Sequence, residues 1–364
     1  MFEHLVIDRP WQLEVLLQTL PRLPAGRIDP DDRRTLGWFV KRLDLLIPNL
    51  EWLRVKRENS EVYSLAPTLC TFLPNLLSLN VAGAPLSYFP PGTDVISPGL
   101  KQLCWTDDAT SPTLQDLKDL TLFMDNHPNI TVVCFPPTDI GQWPPESNSS
   151  LSDWEGVCWP ELEELIFTTS VRVRVFYNAF RAGTFPGLKR LAFPYSSSET
   201  LRVVLGFCGA NLERLHLSHY SSFSREFWSL DTTPAMIQAI QCSCPNLREF
   251  RWSLKGRQLP DGEWADSLDD IGARIPGVTV FGAHWISPIE GGYGYGRFCK
   301  HILCWVRVLP DLKVIRLFGE ANVEALLEEG KAKIFDGFLE ECRLKEIRVE
   351  DIFGERIAPR GLLV

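Results

Sequence analysis

The side chains most often used for catalysis and metal binding are present in this chain but poorly grouped. Its six histidines, His4, His127, His216, His219, His284 and His301, are spread along the sequence. His216 and His219 are near neighbours, yet no Cys or acidic partner stands at metal-ligand spacing from them. Cys242-x-Cys244 is one residue short of the C-x-x-C spacing that zinc and redox sites use, and it reads as apolar filling at a helix end. Gly291-Gly292-Tyr293-Gly294-Tyr295-Gly296 is rich enough in glycine to approach a phosphate, but no Lys-Ser/Thr follows it. It reads as a flexible loop with two aromatic residues. Neither G-x-S-x-G nor H-E-x-x-H occurs. These residues point away from an enzyme and name no cofactor or metal. A hydrolase or transferase built on the loop from His284 to Gly296 is the weakest of three functional readings.

The elements that would position any site are written in a repeat. PNLEWLRV begins at Pro48, PNLLSLNV at Pro74, PGLKQLCW at Pro98 and PNITVVCF at Pro128. PELEELIF follows at Pro160, PGLKRLAF at Pro186, PNLREFRW at Pro245, PGVTVFGA at Pro276 and PDLKVIRL at Pro310. ANLERLHL from Ala210 and RLKEIRV from Arg343 lack the proline. The leading apolar residues are 24 to 35 positions apart. That spacing holds one short strand, one helix and two turns, and it is too orderly for chance matches in a Leu- and Pro-rich chain. In L-x-x-L-x-L the last two apolar residues lie two apart and share one face of a strand. One unit cannot bury that face alone, whereas stacked neighbours can. The proline stops the preceding helix, because it lacks an N–H and forces the residue before it out of the α region. The expected fold is therefore α/β: a right-handed leucine-rich-repeat solenoid, or horseshoe, with a parallel sheet inside and helices outside.

Residues 2–7, FEHLVI, read as a strand that starts inside a unit. Helices are expected over Trp11–Leu20, Asp31–Ile47, Val62–Phe72, Thr113–His127, Val173–Ala182, Glu199–Cys208, Pro234–Cys242, Trp264–Ile275, Arg297–Leu309 and Asn322–Cys342. Gly330 or Gly337 is expected to break the last of these. Ala84–Ser97, Pro136–Cys158 and His284–Gly296 read as long loops. Nothing divides the chain into separate domains, so residues 1–364 read as one leucine-rich-repeat domain. Residues 1–47 form its irregular N-terminal unit, and residues 48–364 form the repeats.

A net charge of −9 disfavours nucleic acid and anionic membranes as general partners. No run of about 20 apolar residues stands out as a membrane span. The opening MFEHLVIDRPWQ lacks the apolar core of a secretion signal. The ten cysteines are then expected to be reduced thiols, in a cytoplasmic or nuclear protein.

The strand positions flanking the central apolar residue should line the inner face. They are Trp52 and Arg54, Ser78 and Asn80, Gln102 and Cys104, Val132 and Cys134, Glu164 and Ile166, then Arg190 and Ala192. Arg214 and His216, Glu249 and Arg251, Val280 and Gly282, Val314 and Arg316, then Glu346 and Arg348 continue the series. Arg190, Arg214, Arg251, Arg316 and Arg348 concentrate in the C-terminal half. Arginine suits bidentate recognition of carboxylate or phosphate and is favoured at interface hot spots. The competing reading pairs each arginine with a nearby glutamate such as Glu213, Glu249 or Glu346. Trp52 is an anchor candidate or packs under the N-terminal helices. The expected partner-binding set is Trp52, Arg54, Arg190, Arg214, His216, Arg251, Arg316 and Arg348, facing a protein that is acidic or phosphorylated.

SCPNLREFRW, FLPNLLSLNV and CGANLERLHL, with their Cys-Pro and Leu-Pro lead-ins, resemble the leucine-rich repeats of F-box proteins. The irregular spacing and the opening strand are similar to the divergent F-box/LRR-like set of mushroom-forming fungi. The resemblance spans nearly the whole chain. It implies a non-enzymatic protein-protein interaction module, the substrate-recognition part of an SCF-type ubiquitin ligase receptor. In that family an F-box ahead of the repeats binds a Skp-type adaptor. Here Leu20-Pro21-Arg22-Leu23-Pro24 is followed by AGRID rather than the apolar F-box helix. A Skp-type adaptor is expected only where an F-box precedes Met1. The alternative is a repeat-only structural adaptor with no ubiquitin ligase link.

Overall fold

In a computed structural model, the structure describes residues 3–22, 34–46, 65–82, 96–106, 114–135, 158–167, 184–195, 197–220, 232–255, 272, 274–285, 291–318 and 329–358. Residue contacts divide the chain into two compact units. The first is 1–179 with 184–188, and the second is 180–183 with 189–364.

Among the described residues the first unit holds six strands, β1 (His4–Ile7), β2 (Arg42–Leu45), β3 (Ser78–Ala82), β4 (Gln102–Thr106), β5 (Val132–Phe135) and β6 (Glu164–Phe167). Each pairs in parallel with the next, in register His4↔Arg42↔Ser78↔Gln102↔Val132↔Glu164. Its helices are α1 (Pro10–Thr19), α2 (Leu65–Thr71) and α3 (Leu114–Asn126). The second unit holds β7 (Arg190–Pro194), β8 (Arg214–Tyr220), β9 (Glu249–Lys255), β10 (Val280–Trp285), β11 (Val314–Phe318) and β12 (Arg348–Glu350). They are parallel in that order, in register Arg190↔Arg214↔Glu249↔Val280↔Val314↔Arg348. Its helices are α4 (Ser198–Cys208), α5 (Thr232–Ser243), α6 (Gly291–Val308) and α7 (Glu329–Leu344). The chain is thus α/β with a repeating, solenoid-like strand order, and no helix among the described residues is long and apolar enough to cross a membrane.

The repeat has a hydrogen-bonding counterpart. The leading and central apolar residues, such as Leu76 with Leu79 and Leu247 with Phe250, are fully or almost fully buried. The residue before a strand commonly offers one carbonyl to two successive N–H groups of the next unit: Lys41 to Leu77 and Ser78, Thr131 to Glu163 and Glu164, Arg248 to Thr279 and Val280. The asparagine of P-N-L ties its amide to a backbone carbonyl one unit back. Asn75 donates to Trp38 O at 2.8 Å, Asn129 to Pro98 O at 3.0 Å and Asn246 to Ala210 O at 2.8 Å. These bonds fix the stacking pitch, which explains why Asn recurs after the proline. Where Gly187 replaces it, the backbones come closer: a Cβ there would lie 2.3 Å from Pro160 O.

The second unit is packed around aromatic rings. Trp305 of α6, fully buried, lies 5.0 Å from Phe250, 5.8 Å from Trp252 and 5.6 Å from Phe281 between ring centroids. Its indole N–H donates to His301 Nε2 at 3.2 Å. Burial pushes the His301 imidazole down to about 3, so it stays neutral and can accept this bond.

Four sequence expectations need correction. The described part of the helix expected over 31–47, residues 34–46, is not an α-helix; after a 3-10 turn at Leu36–Phe39 the chain enters β2. Val40-x-x-Leu43-x-Leu45 is a copy of the repeat without its proline, and the same apolar residues fit a helical stripe, so spacing alone misassigns them. The copy from Pro48, with Trp52 and Arg54, lies outside the described residues. The segment Gly291–Gly296 is not a loop but the start of α6, and His284 belongs to β10. Gly337 does not break α7, where a Cβ would meet nothing within 4 Å.

The fourth correction moves the inner face of the last strand. Glu346 and Arg348 were the expected pair, but the register pairs Val314 with Arg348 and Arg316 with Glu350. The central buried residue is Val349, and Leu344, the expected leading residue, is 70% exposed. The cause is a Schellman end to α7. Ile347 N–H bonds Cys342 O at 2.9 Å, Glu346 N–H bonds Arg343 O at 3.0 Å, and Glu346 takes φ 60°. With this cap the inner pair of the strand falls two residues later than expected, at Arg348 and Glu350. The helix expected at 173–182 and nearly all of that at 264–275 lie outside the described residues.

Candidate functional site

Parallel register converts strand positions into rows of side chains across a sheet face. In the second unit the first row reads Arg190, Arg214, Glu249, Val280, Val314, Arg348. The second reads Ala192, His216, Arg251, Gly282, Arg316, Glu350, and the third Pro194, Ser218, Ser253, His284, Phe318. Arg190, Arg214, His216, Arg251, Arg316 and Arg348 therefore share one face, as their alternation along the strands requires.

Two buried carboxylates organise the arginines. Glu249 accepts from Arg214 Nε at 3.1 Å and from Arg251 Nε at 2.5 Å. Glu350 accepts from Arg316 Nη2 at 2.9 Å and from Arg348 Nη2 at 2.5 Å. The Glu249 and Glu350 side chains are 9% and 4% exposed, whereas Arg214 and Arg348 are 53% and 56% exposed. The acids sit at the base and the guanidiniums reach outward. Each buried charge is compensated twice, as a carboxylate removed from water requires. The competing sequence reading is thus realised in part: Glu249 is the partner of two arginines, and Glu350 takes the role expected of Glu346. The first unit repeats the device. Asp44 accepts from Arg42 Nε and Nη2, each at 2.9 Å, and lies 2.9 Å from His4 Nε2. Burial would raise the Asp44 carboxyl, but the bonds from Arg42 and His4 outweigh it and hold it below the usual range.

Between the two glutamates lies a small aromatic and imidazole cluster. Arg251 stacks over the Phe318 ring with its guanidinium carbon 4.5 Å from the centroid, crossing the strand that carries Gly282. A Cβ at Gly282 would lie 2.7 Å from Phe318 Cε2 and 2.8 Å from Arg251 Cγ, so glycine is what lets these two meet. Ser253 Oγ lies 2.6 Å from His216 Nε2 and 3.2 Å from His284 Nδ1. Burial, followed by the nearby charge of Arg251, lowers His216 to about 4, and burial lowers His284 too. Both imidazoles are neutral near pH 7, so each can donate or accept across the hydroxyl. A serine beside a neutral histidine is the pairing nucleophilic catalysis uses. Ser253, however, is 1% exposed, and in this conformation no electrophile reaches its oxygen. The arrangement is suited to holding the face rigid.

Asp44, Glu350, Ser253 and Phe318 were missed by sequence reasoning. Extending the alternation one residue past the L-x-L core would have found Ser253 and Phe318. Among the described residues no group of three or more His, Cys, Asp or Glu side chains could hold a metal ion. Comparison with protein-family models and with curated proteins gives no match.

Proposed function

We propose that the chain is a leucine-rich-repeat protein-binding module, without catalysis of its own. Its arginine-lined face in the second unit receives an acidic or phosphorylated segment of a partner protein. The observation that carries this reading is the arrangement of Arg214, Arg251, Arg316 and Arg348 around Glu249 and Glu350. Four guanidiniums against two carboxylates leave two positive charges in excess on this part of a chain whose net charge is −9. The carboxylates preorganise the arginines, which lowers the side-chain ordering cost of binding. Guanidinium forks suit carboxylate and phosphate oxygens, and the Arg251–Phe318 stack adds an apolar surface beside them.

The role that fits such a face is substrate recognition of the kind found in F-box ubiquitin ligase receptors. Mixing the chain with a Skp-type adaptor tests that finer link directly. The face itself is tested with arrays of phosphoserine-containing, glutamate-rich and neutral peptides. Phosphorylated or acidic peptides should bind, and Arg251→Ala with Arg316→Ala should weaken them by about tenfold or more. Added salt should weaken them further. Binding that ignores peptide charge, or that survives all four alanine changes, removes the proposed surface.

A further inference from the structure

The first unit carries a pair of thiols on adjacent strands that the proposed binding face does not use. Cys104 of β4 and Cys134 of β5 are direct register partners on adjacent parallel strands, and their sulfurs lie 3.0 Å apart. Strands about 4.8 Å apart bring such partners within the Cα separation that an unstrained disulfide spans. The two positions differ in access. Cys134 is 7% exposed, while Cys104 is partly open to solvent and accepts the Gln102 amide at 3.4 Å.

We propose that Cys104 and Cys134 form a peroxide-oxidisable dithiol, with Cys104 as the attacking thiolate and Cys134 as the resolving thiol. In the first step the Cys104 thiolate attacks a hydroperoxide oxygen. The O–O bond breaks, Cys104 becomes a sulfenic acid, and the leaving hydroxide or alkoxide takes a proton to become water or alcohol. In the second step the Cys134 sulfur attacks the sulfenic sulfur. The S–S bond forms, the S–O bond breaks, and the Cys134 proton leaves with the hydroxyl as water. Two thiols are oxidised and one hydroperoxide is reduced. A small thiol of the glutathione class reverses the change by exchange.

The electrostatics of the pair agree with these roles. The hydrogen bond shared with Cys134 lowers the Cys104 thiol below its usual range against the effect of burial, with help from the Gln102 amide and the charge of Arg42. Asp44 opposes that shift. Cys134 is pushed up by the same shared bond, by burial and by Glu164, so the proton stays on it. Burial raises Cys70, Cys208, Cys244, Cys299 and Cys342, which makes them poor nucleophiles.

The reduced full chain is exposed to graded hydrogen peroxide, alkylated, digested and mapped by mass spectrometry. The first product should be a Cys104–Cys134 linkage that dithiothreitol reverses. Its rate should rise with pH, and it should already be appreciable below the usual range of a free thiol. In Cys134→Ser, dimedone should capture a sulfenic acid at Cys104. In Cys104→Ser, the remaining Cys134 thiol should be lost at least about tenfold more slowly. The idea is overturned if the exposed Cys158 or Cys242 is oxidised first and no Cys104–Cys134 linkage appears. It is equally overturned if Cys104 gives no dimedone adduct in Cys134→Ser. The wild-type map depends on no substitution, so a poorly folded variant would not obscure the result.

Discussion

Gly282→Ala is the smallest change that strikes the proposed binding face. The new Cβ would lie 2.7 Å from Phe318 Cε2 and 2.8 Å from Arg251 Cγ, both well inside ordinary contact. Phe318 can tilt its ring, but Cγ is near the root of Arg251, so relief there requires a turn about χ1. That turn carries the guanidinium off the Phe318 ring and away from Glu249. The lost stack is worth roughly 0.5–1 kcal/mol at a half-exposed site. The Glu249 contact adds at most about 1 kcal/mol, because Arg251 is 33% exposed and can turn to water. A total of about 0.5–2 kcal/mol is expected, which overlaps the usual range of about 1–3 for overpacking. Urea denaturation of the full chain measures it. If the ring clash is the cause, Gly282→Ala made in a Phe318→Ala background should cost at least about 0.5 kcal/mol less. Purely additive changes, or an unaltered midpoint, would refute the account of why glycine occupies this position. Acidic-peptide affinity should fall alongside stability, since Arg251 is displaced.

Two further outcomes probe other parts of the molecule. Asp44→Asn removes a carboxylate whose folded-state pKa is depressed, so its stabilisation is present above the unfolded value of about 4 and is lost as pH falls. The variant should be less stable than wild type by about 1 kcal/mol at pH 7, after discounting for half-exposed partners, and the gap should close below about pH 4. A pH series of denaturation midpoints checks the sign. Trp305→Ala empties the centre of the aromatic cluster formed with Phe250, Trp252 and Phe281 and should cost about 3–5 kcal/mol. Calorimetry would show it, and a loss below about 1 kcal/mol would mean the cluster is not the core of the second unit.

The repeat was legible because each unit obeys the same local demand. Leu76 and Leu79, or Leu247 and Phe250, must be hidden by a neighbouring copy, and the proline and asparagine mark where the strand begins. Alternation along β8, β9 and β11 then assigned Arg214, His216, Arg251 and Arg316 to one face. These are facts of spacing, and a strand keeps its period of two whatever it packs against. The errors arose where a local pattern had two solutions. Leu36, Phe39, Val40 and Leu43 satisfy a helical stripe as well as a turn and a strand. The Glu346 cap moved β12 by a step that no apolar count records.

Which charges meet belongs to a different level. Glu249 lies one residue from Phe250 in every conformation, but its sharing between Arg214 and Arg251 depends on β8 lying beside β9 in one register. The Glu350–Arg316, Asp44–His4 and Cys104–Cys134 contacts likewise join strands some 30 to 40 positions apart along the chain, whereas Arg42–Asp44 and Arg348–Glu350 lie two residues apart on one strand. Amino-acid order dictates which way a side chain leaves its strand, because that follows from backbone geometry. What the side chain then encounters depends on the partner strand, because ion pairs and thiol contacts act over a few ångströms between segments distant in sequence.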